Sequence, residues 1–300
     1  RGSFTGWIPG TSYLIVGYKA LRIWDTSTGA YVRTLFNSET DNNVVTFPPS
    51  RDGSKLLLSI GSDHSTLTVH ETTAILDGVE TASLTITAPA DYRFNQAIFS
   101  PDKAHIYAVV GKFDFLEQRL MAYDGATGAE VASYDLGDIT VSSFGNKMDF
   151  LSNGDLIFAY ADISSITSQT GSVRIFSTPG LSLVDVVDEG PTNEVLRQNG
   201  PLFASRETFL VNVFNAETSR PLAEINTYTA NAGPLRYAAD ENALLVPYDG
   251  AVVTYGLSAL KRATPLIDDF LFGIQPIDNL DANGDGIVDA ADYLGVVPDR

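Results

Sequence analysis

Residues 96–110 read QAIFSPDKAHIYAVV, an apolar strand that ends in an aromatic residue, a polar turn, and a second apolar strand. The Pro and Asp in the centre are residue types that reverse a strand within a few positions. The same order returns along the chain, so it is a repeat and not an isolated hairpin. The other copies are VVTFPPSRDGSKLLLSI (44–60), KMDFLSNGDLIFAYA (147–161) and PLRYAADENALLVPY (234–248).

A second phrase alternates with the first one. It is a strand that ends in an aromatic residue, a turn, and another short strand. A weaker copy at 65–76, STLTVHETTAIL, carries His70 at the aromatic position. The clear copies are ALRIWDTSTGAYVRTL (20–35), LMAYDGATGAEVASYDL (120–136), SVRIFSTPGLSLVDVV (172–187), FLVNVFNAETSRPLAEI (209–225) and AVVTYGLSALKRATPL (251–266).

The aromatic position of the second phrase measures the repeat. Its occupants are Trp24, His70, Tyr123, Phe176, Phe214 and Tyr255, separated by 46, 53, 53, 38 and 41 residues. Each interval is about the length of a four-stranded propeller blade, and each phrase supplies two strands. Residues 7–18, WIPGTSYLIVGY, supply the first pair of the first blade. We therefore predict an all-β chain that forms a β-propeller of six blades, to which residues 264–280 could add a seventh. We expect the aromatic residues to pack between blades.

Three motifs resemble those of known propeller families. FSPD (99–102) precedes IYAVV, while IWDTSTG (23–29) and AYDGATG (122–128) precede valine-containing strands. They resemble the YVTN-type and WD-repeat-like β-propeller families, and the resemblance extends over most of the chain. It implies the propeller fold, although the Gly-His pair of true WD repeats is missing. A fold of this kind does not by itself imply a function.

Residues 281–292, DANGDGIVDAAD, match the ligand spacing of an EF-hand calcium loop. Such a loop places oxygen ligands at positions 1, 3, 5, 7, 9 and 12, with Gly at position 6 for a sharp turn. Gly286 occupies that turn position. The alternative interpretation is a solvated loop rich in Asp and Gly that holds no ion. The predicted Ca²⁺ ligands are Asp281, Asn283, Asp285, the backbone carbonyl of Ile287, Asp289 and Asp292.

The Asp at position 12, within AADYLGVV, resembles the calcium-binding repeat of bacterial dockerin modules. The resemblance covers residues 279–297 and implies a loop with one following helix. A dockerin has two such repeats and this sequence has one, which leaves recognition of a cohesin partner in question. We divide the chain into a propeller at 1–266, a linker or extra strand at 267–278, and a dockerin-like calcium loop and helix at 279–300.

Composition and charge exclude some classes of partner. The chain has 37 acidic residues against 19 Lys and Arg, a formal charge of −18, and a field of that sign repels nucleic acid and anionic lipid. No apolar run is long enough to span a membrane. A lone calcium loop should bind with a dissociation constant of about 10⁻⁴–10⁻³ M. Because calcium reaches such concentrations outside cells, we predict an extracellular or cell-surface location for an exported, processed chain.

Candidate catalytic residues are few. Ser62, Asp63 and His64 are adjacent, but the members of a triad come from distant parts of a chain, so we interpret this stretch as a polar turn. Asp138, Asp149 and Asp162 near strand ends could form an acid–base pair of the glycosidase kind, although a propeller places a turn acid in each blade anyway. His70 and His105 fall at a core position and at a strand start, which disfavours a zinc site.

These features favour an extracellular calcium-binding scaffold that is not an enzyme. Its partner would be another protein or further copies of the same chain, with the C-terminal tail as the point of assembly. The apolar segment LIDDFLFGI (266–274) is long enough to add a strand to the sheet edge of a neighbour. The alternative is a secreted propeller enzyme, a hydrolase or lyase acting on a glycan or lactone, that uses a dockerin-type tail as its anchor.

Overall fold

The described residues of the protein, in a computed structural model, form β-strands almost throughout. Within them the chain makes six antiparallel sheets and one short helix. The described ranges are 5–17, 19–37, 43–112, 117–137, 148–151, 153–162, 170–188, 194–197, 202–206, 210–215, 221–226, 236–237, 243–248 and 251–256.

Each sheet is built from strands that are consecutive in the chain. The first sheet contains β1 (Thr5–Trp7), β2 (Tyr13–Gly17), β3 (Leu21–Asp25) and β4 (Ala30–Leu35). The second contains β5 (Val44–Thr46), β6 (Lys55–Ile60), β7 (Thr66–Glu71) and β8 (Leu84–Thr87). The third contains β9 (Tyr92–Phe99), β10 (His105–Lys112), β11 (Gln118–Asp124) and β12 (Glu130–Gly137). The fourth contains β13 (Met148–Phe150), β14 (Leu156–Asp162), β15 (Thr170–Phe176) and β16 (Leu183–Asp188). The fifth contains β17 (Glu194–Arg197), β18 (Leu202–Arg206), β19 (Leu210–Asn215) and β20 (Pro221–Asn226). The sixth contains β21 (Arg236–Tyr237), β22 (Ala243–Tyr248) and β23 (Ala251–Gly256).

The predicted four-stranded repeat is confirmed in the first five sheets, and the sixth has three strands among the described residues. Most copies of the two phrases supply one antiparallel strand pair each, and residues 7–18 supply most of the first pair, as predicted. The number of blades also depends on residues 257–300, which lie outside the described part of the chain. Six blades, with a seventh allowed, therefore stays a prediction.

The first five sheets pack successively face to face through apolar layers. Apolar residues on both faces of a strand are what such stacking requires, and β10 is buried at six consecutive positions, from Ile106 to Gly111. The first strand of one sheet lies near the first strand of the next, as β9 does to β13 and β13 to β17. Members of the layer between the first and second sheets include Ile15, Leu21, Ile23, Leu56 and Leu58. The layer between the third and fourth sheets includes Tyr107, Val109, Phe150, Phe158 and Phe176.

A β-bulge recurs immediately before the aromatic position that measures the repeat. The pairing of the third strand with the fourth shifts register before Trp24, Tyr123, Phe176 and Phe214. The last three are buried in the layers between sheets, which confirms their predicted packing. The side chain of Tyr255 is outside the described residues.

The predicted packing of Trp24 between blades is not seen among the described residues, where its side chain is 38% exposed. Its strand alternates strictly, so Leu21 and Ile23 face the second sheet while Arg22 and Trp24 face the opposite side. The equivalent residues of later sheets have a neighbouring sheet on both sides. The position of Trp24 in the repeat does not show what covers that face.

The weaker copy of the second phrase contains a helix where a turn and strand were expected. Helix α1 (Thr72–Asp77) follows β7, and β8 begins only at Leu84. Its residues Ala74, Ile75 and Leu76 tolerate a helix well, and Gly78 ends it in the left-handed conformation with φ 89°. Ile75 is fully buried in the layer between the first two sheets. The helix is therefore held by tertiary packing, as short helices must be.

Candidate functional site

The turn that contains Ser62, Asp63 and His64 joins β6 to β7, as predicted. Asp63 accepts a hydrogen bond from the Ser65 amide at 3.2 Å and another from the Ser65 hydroxyl at 2.9 Å. These bonds, the amide bond first, lower the pKa of the Asp63 carboxyl. His64 is buried, and its Nδ1 lies 3.4 Å from Ser59 Oγ. The carboxylate thus closes its own turn, while the imidazole contacts a hydroxyl on the preceding strand.

Asp149 is the one predicted acid–base candidate whose side chain the structure describes. It lies on β13, its side chain is 16% exposed, and its Oδ1 lies 3.6 Å from Nη2 of Arg51. Arg51 belongs to the β5–β6 turn, so this ion pair joins the second sheet to the fourth, which are not neighbours. Asp138 lies outside the described residues, and for Asp162 only the backbone at the end of β14 is described. An acid–base pair among these three residues stays a prediction.

The two predicted non-ligand histidines lie where the sequence placed them. His70 is 1% exposed, and its Nε2 lies 3.0 Å from Thr68 Oγ1. Its ring meets that of Phe36 edge to face, with centroids 5.3 Å apart. Burial lowers the pKa of His70, and its contacts are those of a packing residue. His105 begins β10.

The recurring turn aspartates have a structural role in the copies that the structure describes. Asp52 accepts a hydrogen bond from Ser50 Oγ at 2.8 Å, and Asp102 accepts one from Ser100 Oγ at 2.7 Å. Lys103 pairs with Asp52 and so ties the turn of the third sheet to that of the second. This ion pair is the first cause of the lowered pKa of Asp52. The turn acids thus fasten hairpins and link neighbouring blades.

One end of the third sheet carries an ion cluster formed by Tyr92, Lys112, Glu117 and Arg119. Glu117 accepts hydrogen bonds from the Tyr92 hydroxyl and from Arg119, the latter at 2.8 Å, and it pairs with Lys112. The bond from Lys112 comes first among the causes that lower the pKa of Glu117 to about 2. Both cations lie against the Tyr92 ring, at 5.8 Å for Lys112 and 5.0 Å for Arg119 from its centroid.

A buried amide pair lies beside this ion cluster. Gln118 is fully buried, and its Oε1 accepts a hydrogen bond from Asn95 at 2.9 Å. The Gln118 side chain crosses β10 at Gly111, where an added Cβ would lie 2.3 Å from Nε2. The glycine therefore allows the amide to reach from β11 to β9, the first strand of the same sheet.

A row of exposed aromatic residues crosses the first sheet on the face away from the second sheet. Trp7 is paired with Leu14, Leu14 with Trp24, and Trp24 with Tyr31, so the four side chains share one face. The exposed fractions are 60% for Trp7, 38% for Trp24 and 48% for Tyr31. Trp24 and Tyr31 meet edge to face with centroids 5.1 Å apart. We call Trp7, Leu14, Trp24 and Tyr31 the aromatic row.

The aromatic row was not predicted from the sequence, although the sequence carries a signal for it. The chain has two tryptophans in all, and both lie in this row. The registers of the β1–β2 and β2–β3 pairs, in which Trp7 and Trp24 flank Leu14, place the three residues together. The missing information was which face of the sheet a neighbour covers.

A second exposed apolar surface lies on β16, the last strand in the order of the fourth sheet. Leu183 is 41% exposed, Val184 58% and Val186 40%. Two register shifts interrupt the pairing of β16 with β15. We call Leu183, Val184 and Val186 the β16 surface.

The predicted calcium ligands, from Asp281 to Asp292, all lie outside the described residues. Among the described residues no group of three or more His, Asp or Glu side chains is placed to hold a metal ion. Also within that part of the chain, no helix is long and apolar enough to cross a membrane. The Ca²⁺ site at residues 281–292 therefore stays a prediction.

Comparison with known proteins supports the fold. No protein-family model matches the chain, and no curated protein matches its sequence. Among solved structures, the C-terminal WD40 domain of Sif2 is similar, with a TM-score of 0.55 and 15% sequence identity. The match covers 86% of this chain and 82% of that chain. The chain thus has a WD-repeat-like β-propeller fold, as predicted from its repeat.

Proposed function

We propose that this protein is an extracellular, calcium-binding β-propeller that acts as a non-enzymatic interaction or structural scaffold. The observation that carries the proposal is the β16 surface, an exposed apolar strand at the outside of a rigid stack of sheets. Exposed apolar residues that adjoin one another mark contact sites more often than single ones do. The propeller supplies the rigid support, and the β16 surface supplies the contact.

The geometry of β16 favours contact through side chains. A strand edge that receives another strand needs regularly spaced amide and carbonyl groups. The two register shifts in β16 break that spacing, and bulges of this kind protect edges against unwanted pairing. Leu183, Val184 and Val186 remain exposed nevertheless. We therefore propose that a partner packs on these apolar side chains and does not extend the sheet.

The described acids and histidines give further support to a scaffold. Asp52, Asp63 and Asp102 bind hydroxyl groups within their own turns. Asp149 is paired with Arg51, and His70 is packed against Phe36. Each of these groups has an identified structural contact that explains its presence.

The calcium part of the proposal is supported by the ligand spacing of residues 281–292 alone. Asp281, Asn283, Asp285, Asp289 and Asp292, together with the Ile287 carbonyl, would supply the oxygen ligands that Ca²⁺ prefers. The expected dissociation constant of about 10⁻⁴–10⁻³ M is suited to extracellular calcium. We propose that Ca²⁺ orders residues 279–300, and that this ordered tail serves as the point of assembly with a protein partner or with further copies of the chain.

Sedimentation velocity tests the proposal on the purified chain, in millimolar calcium and then in excess EGTA. We expect larger species in calcium and monomers in EGTA, because an isolated loop of this kind should be ordered by its ion. The variant Asp285→Ala, which removes the ligand oxygen, should stay monomeric in both buffers. The double variant Val184→Lys/Val186→Lys should also lose the larger species, because two charges would have to be desolvated in the contact.

The matched control is Val131→Lys on β12, which is 44% exposed and is the last strand in the order of the third sheet. It should still assemble in calcium. A wild-type chain that remains monomeric in both buffers contradicts self-assembly. Equal loss of assembly in Val131→Lys and in the β16 variant would mean that added charge, and not the β16 surface, decides the outcome.

A further inference from the structure

The first sheet is the one sheet whose two faces differ sharply among the described residues. Ile15, Leu21 and Ile23 are fully buried against the second sheet. The other face carries the aromatic row, which stays exposed although the strands of the sixth sheet are also described. In a closed ring of blades the first sheet has a neighbour on both sides. Closure would therefore bring residues of the sixth sheet, or of the chain that follows β23, onto this face.

We propose that residues 266–274, LIDDFLFGI, cover the aromatic row of the same chain and so complete the ring. This segment belongs to the 44 residues that follow β23. In an extended conformation its alternate residues Asp268, Phe270, Phe272 and Ile274 would share one side. That side offers two aromatic rings and a branched aliphatic side chain to the Trp and Tyr rings, a pairing that aromatic residues favour.

Charge complementarity favours this segment over other apolar stretches. Arg22 lies on β3 two residues before Trp24, so it is on the same face as the aromatic row, and it is exposed. Asp268 precedes Phe270 by two residues and would lie on the same side of the segment. An exposed ion pair contributes little affinity. An ion pair between Arg22 and Asp268 would nevertheless favour one alignment of the segment on the sheet over alignments shifted along the strand. The apolar contacts alone would not distinguish these alignments.

Chain length favours docking within one molecule. Nine residues, 257–265, separate β23 from the segment, and in extended form they span about 30 Å. A short tether of this kind gives an effective concentration of about a millimolar. A second copy at micromolar concentration competes poorly with it. The calcium loop follows the covering segment directly and would be held beside the first sheet.

The two tryptophans make the proposal measurable, because no other tryptophan contributes to the emission of the chain. The experiment is acrylamide quenching of tryptophan fluorescence in the full chain. The wild type should show a blue-shifted emission and protection from the quencher. In Phe270→Ser/Phe272→Ser the side chains of Trp7 and Trp24 should be as exposed as they are among the described residues. We expect this exposure to raise the quenching constant by about twofold or more. The control Ile277→Ser removes an apolar side chain outside the segment and should leave both observables unchanged.

A charge exchange tests the same contact without removing apolar residues. Arg22→Asp should raise quenching, and Arg22→Asp/Asp268→Arg should restore protection. Far-UV circular dichroism confirms that each variant keeps its sheets. Wild-type tryptophans that are quenched as readily as those of Phe270→Ser/Phe272→Ser overturn the proposal. Protection that disappears on dilution also overturns it, because the cover would then come from a second copy.

Discussion

Replacing Tyr123 by phenylalanine should stabilise the protein. Tyr123 is 3% exposed in the layer between the second and third sheets, and its hydroxyl is buried with no hydrogen-bond partner. Burial, and next the Glu130 carboxylate, raise the pKa of that hydroxyl. Phe176 and Phe214 occupy the equivalent position of the next two blades without a hydroxyl, and both are buried. The position therefore accepts phenylalanine in this fold.

The size of the effect follows from the cost of burying a hydroxyl group. Mutational data put that cost at about 1–3 kcal/mol when no hydrogen bond replaces the lost water. The substitution keeps the ring and its packing, so no cavity of the size left by a deleted ring is created. Some contact of the oxygen with its neighbours is lost, which reduces the gain. We expect the free energy of unfolding to rise by about 1 kcal/mol, which corresponds to about 2 °C in Tm for a chain of this size.

Equilibrium urea unfolding followed by circular dichroism measures this difference, provided that the m value is unchanged between the two proteins. The reverse substitution Phe176→Tyr is the matched control. It places a new hydroxyl in a fully buried site and should lower the free energy of unfolding by about 1–3 kcal/mol. A loss of about 1 kcal/mol or more in Tyr123→Phe would refute the reasoning, because it would show that the hydroxyl makes a bond worth that much.

Two further predictions concern a close contact and an ion pair. Gly53→Ala should cost several kcal/mol, about 3 or more, because an added Cβ would lie 2.1 Å from the Pro9 carbonyl oxygen. Gly29→Ala has the same φ of 70° with open space around it and should cost only about 1 kcal/mol by the same urea assay. If both variants lose equal stability, the contact between the first two sheets is unimportant. The pKa of Glu117 is lowered to about 2 by Lys112 first, so its contribution to stability is present above the unfolded-state pKa of about 4.3. That contribution is lost as the pH falls to about 2, and Glu117→Gln should be less sensitive to pH over this range when Tm is followed. An identical dependence of Tm on pH in the wild type and in Glu117→Gln would exclude Glu117 as a contributor to the pH dependence of stability.

The repeat could be predicted from the sequence because its signals are local. A strand followed by Pro, Asp or Gly and another strand is encoded within about 15 residues, and only antiparallel pairing is available to it. The copies at 44–60 and 96–110 form the hairpins that this pattern predicts, β5–β6 and β9–β10. Repetition of the local unit then determines the order of strands in each sheet, because the first phrase of a blade pairs with the second phrase that follows it.

Helix α1 shows where this local reasoning failed. Residues 72–77 lack a capping side-chain hydrogen bond at the helix start, so the usual signal for a helix is missing. The helix is held by Ile75, which is buried against the first sheet, and by Thr72, whose hydroxyl donates to the Gly53 carbonyl at 2.6 Å. The Ile75 contact reaches another sheet, and the Thr72 contact joins residues that are 19 positions apart in the sequence. A short helix that depends on such contacts cannot be recognised from its own sequence.

The calcium loop and the aromatic row differ in how far apart in the sequence their residues lie. A calcium loop carries its ligands within 12 residues, so the sequence alone suggests it, and residues 281–292 can be tested without knowledge of the fold. The aromatic row takes its residues from four strands, and its exposure depends on what lies next to the first sheet. Trp24 was expected in the core because its position in the repeat is a core position in later blades. The exposure of Trp24 identifies the face that we propose residues 266–274 cover, and it makes the environment of Trp7 and Trp24 the most direct measure of that contact.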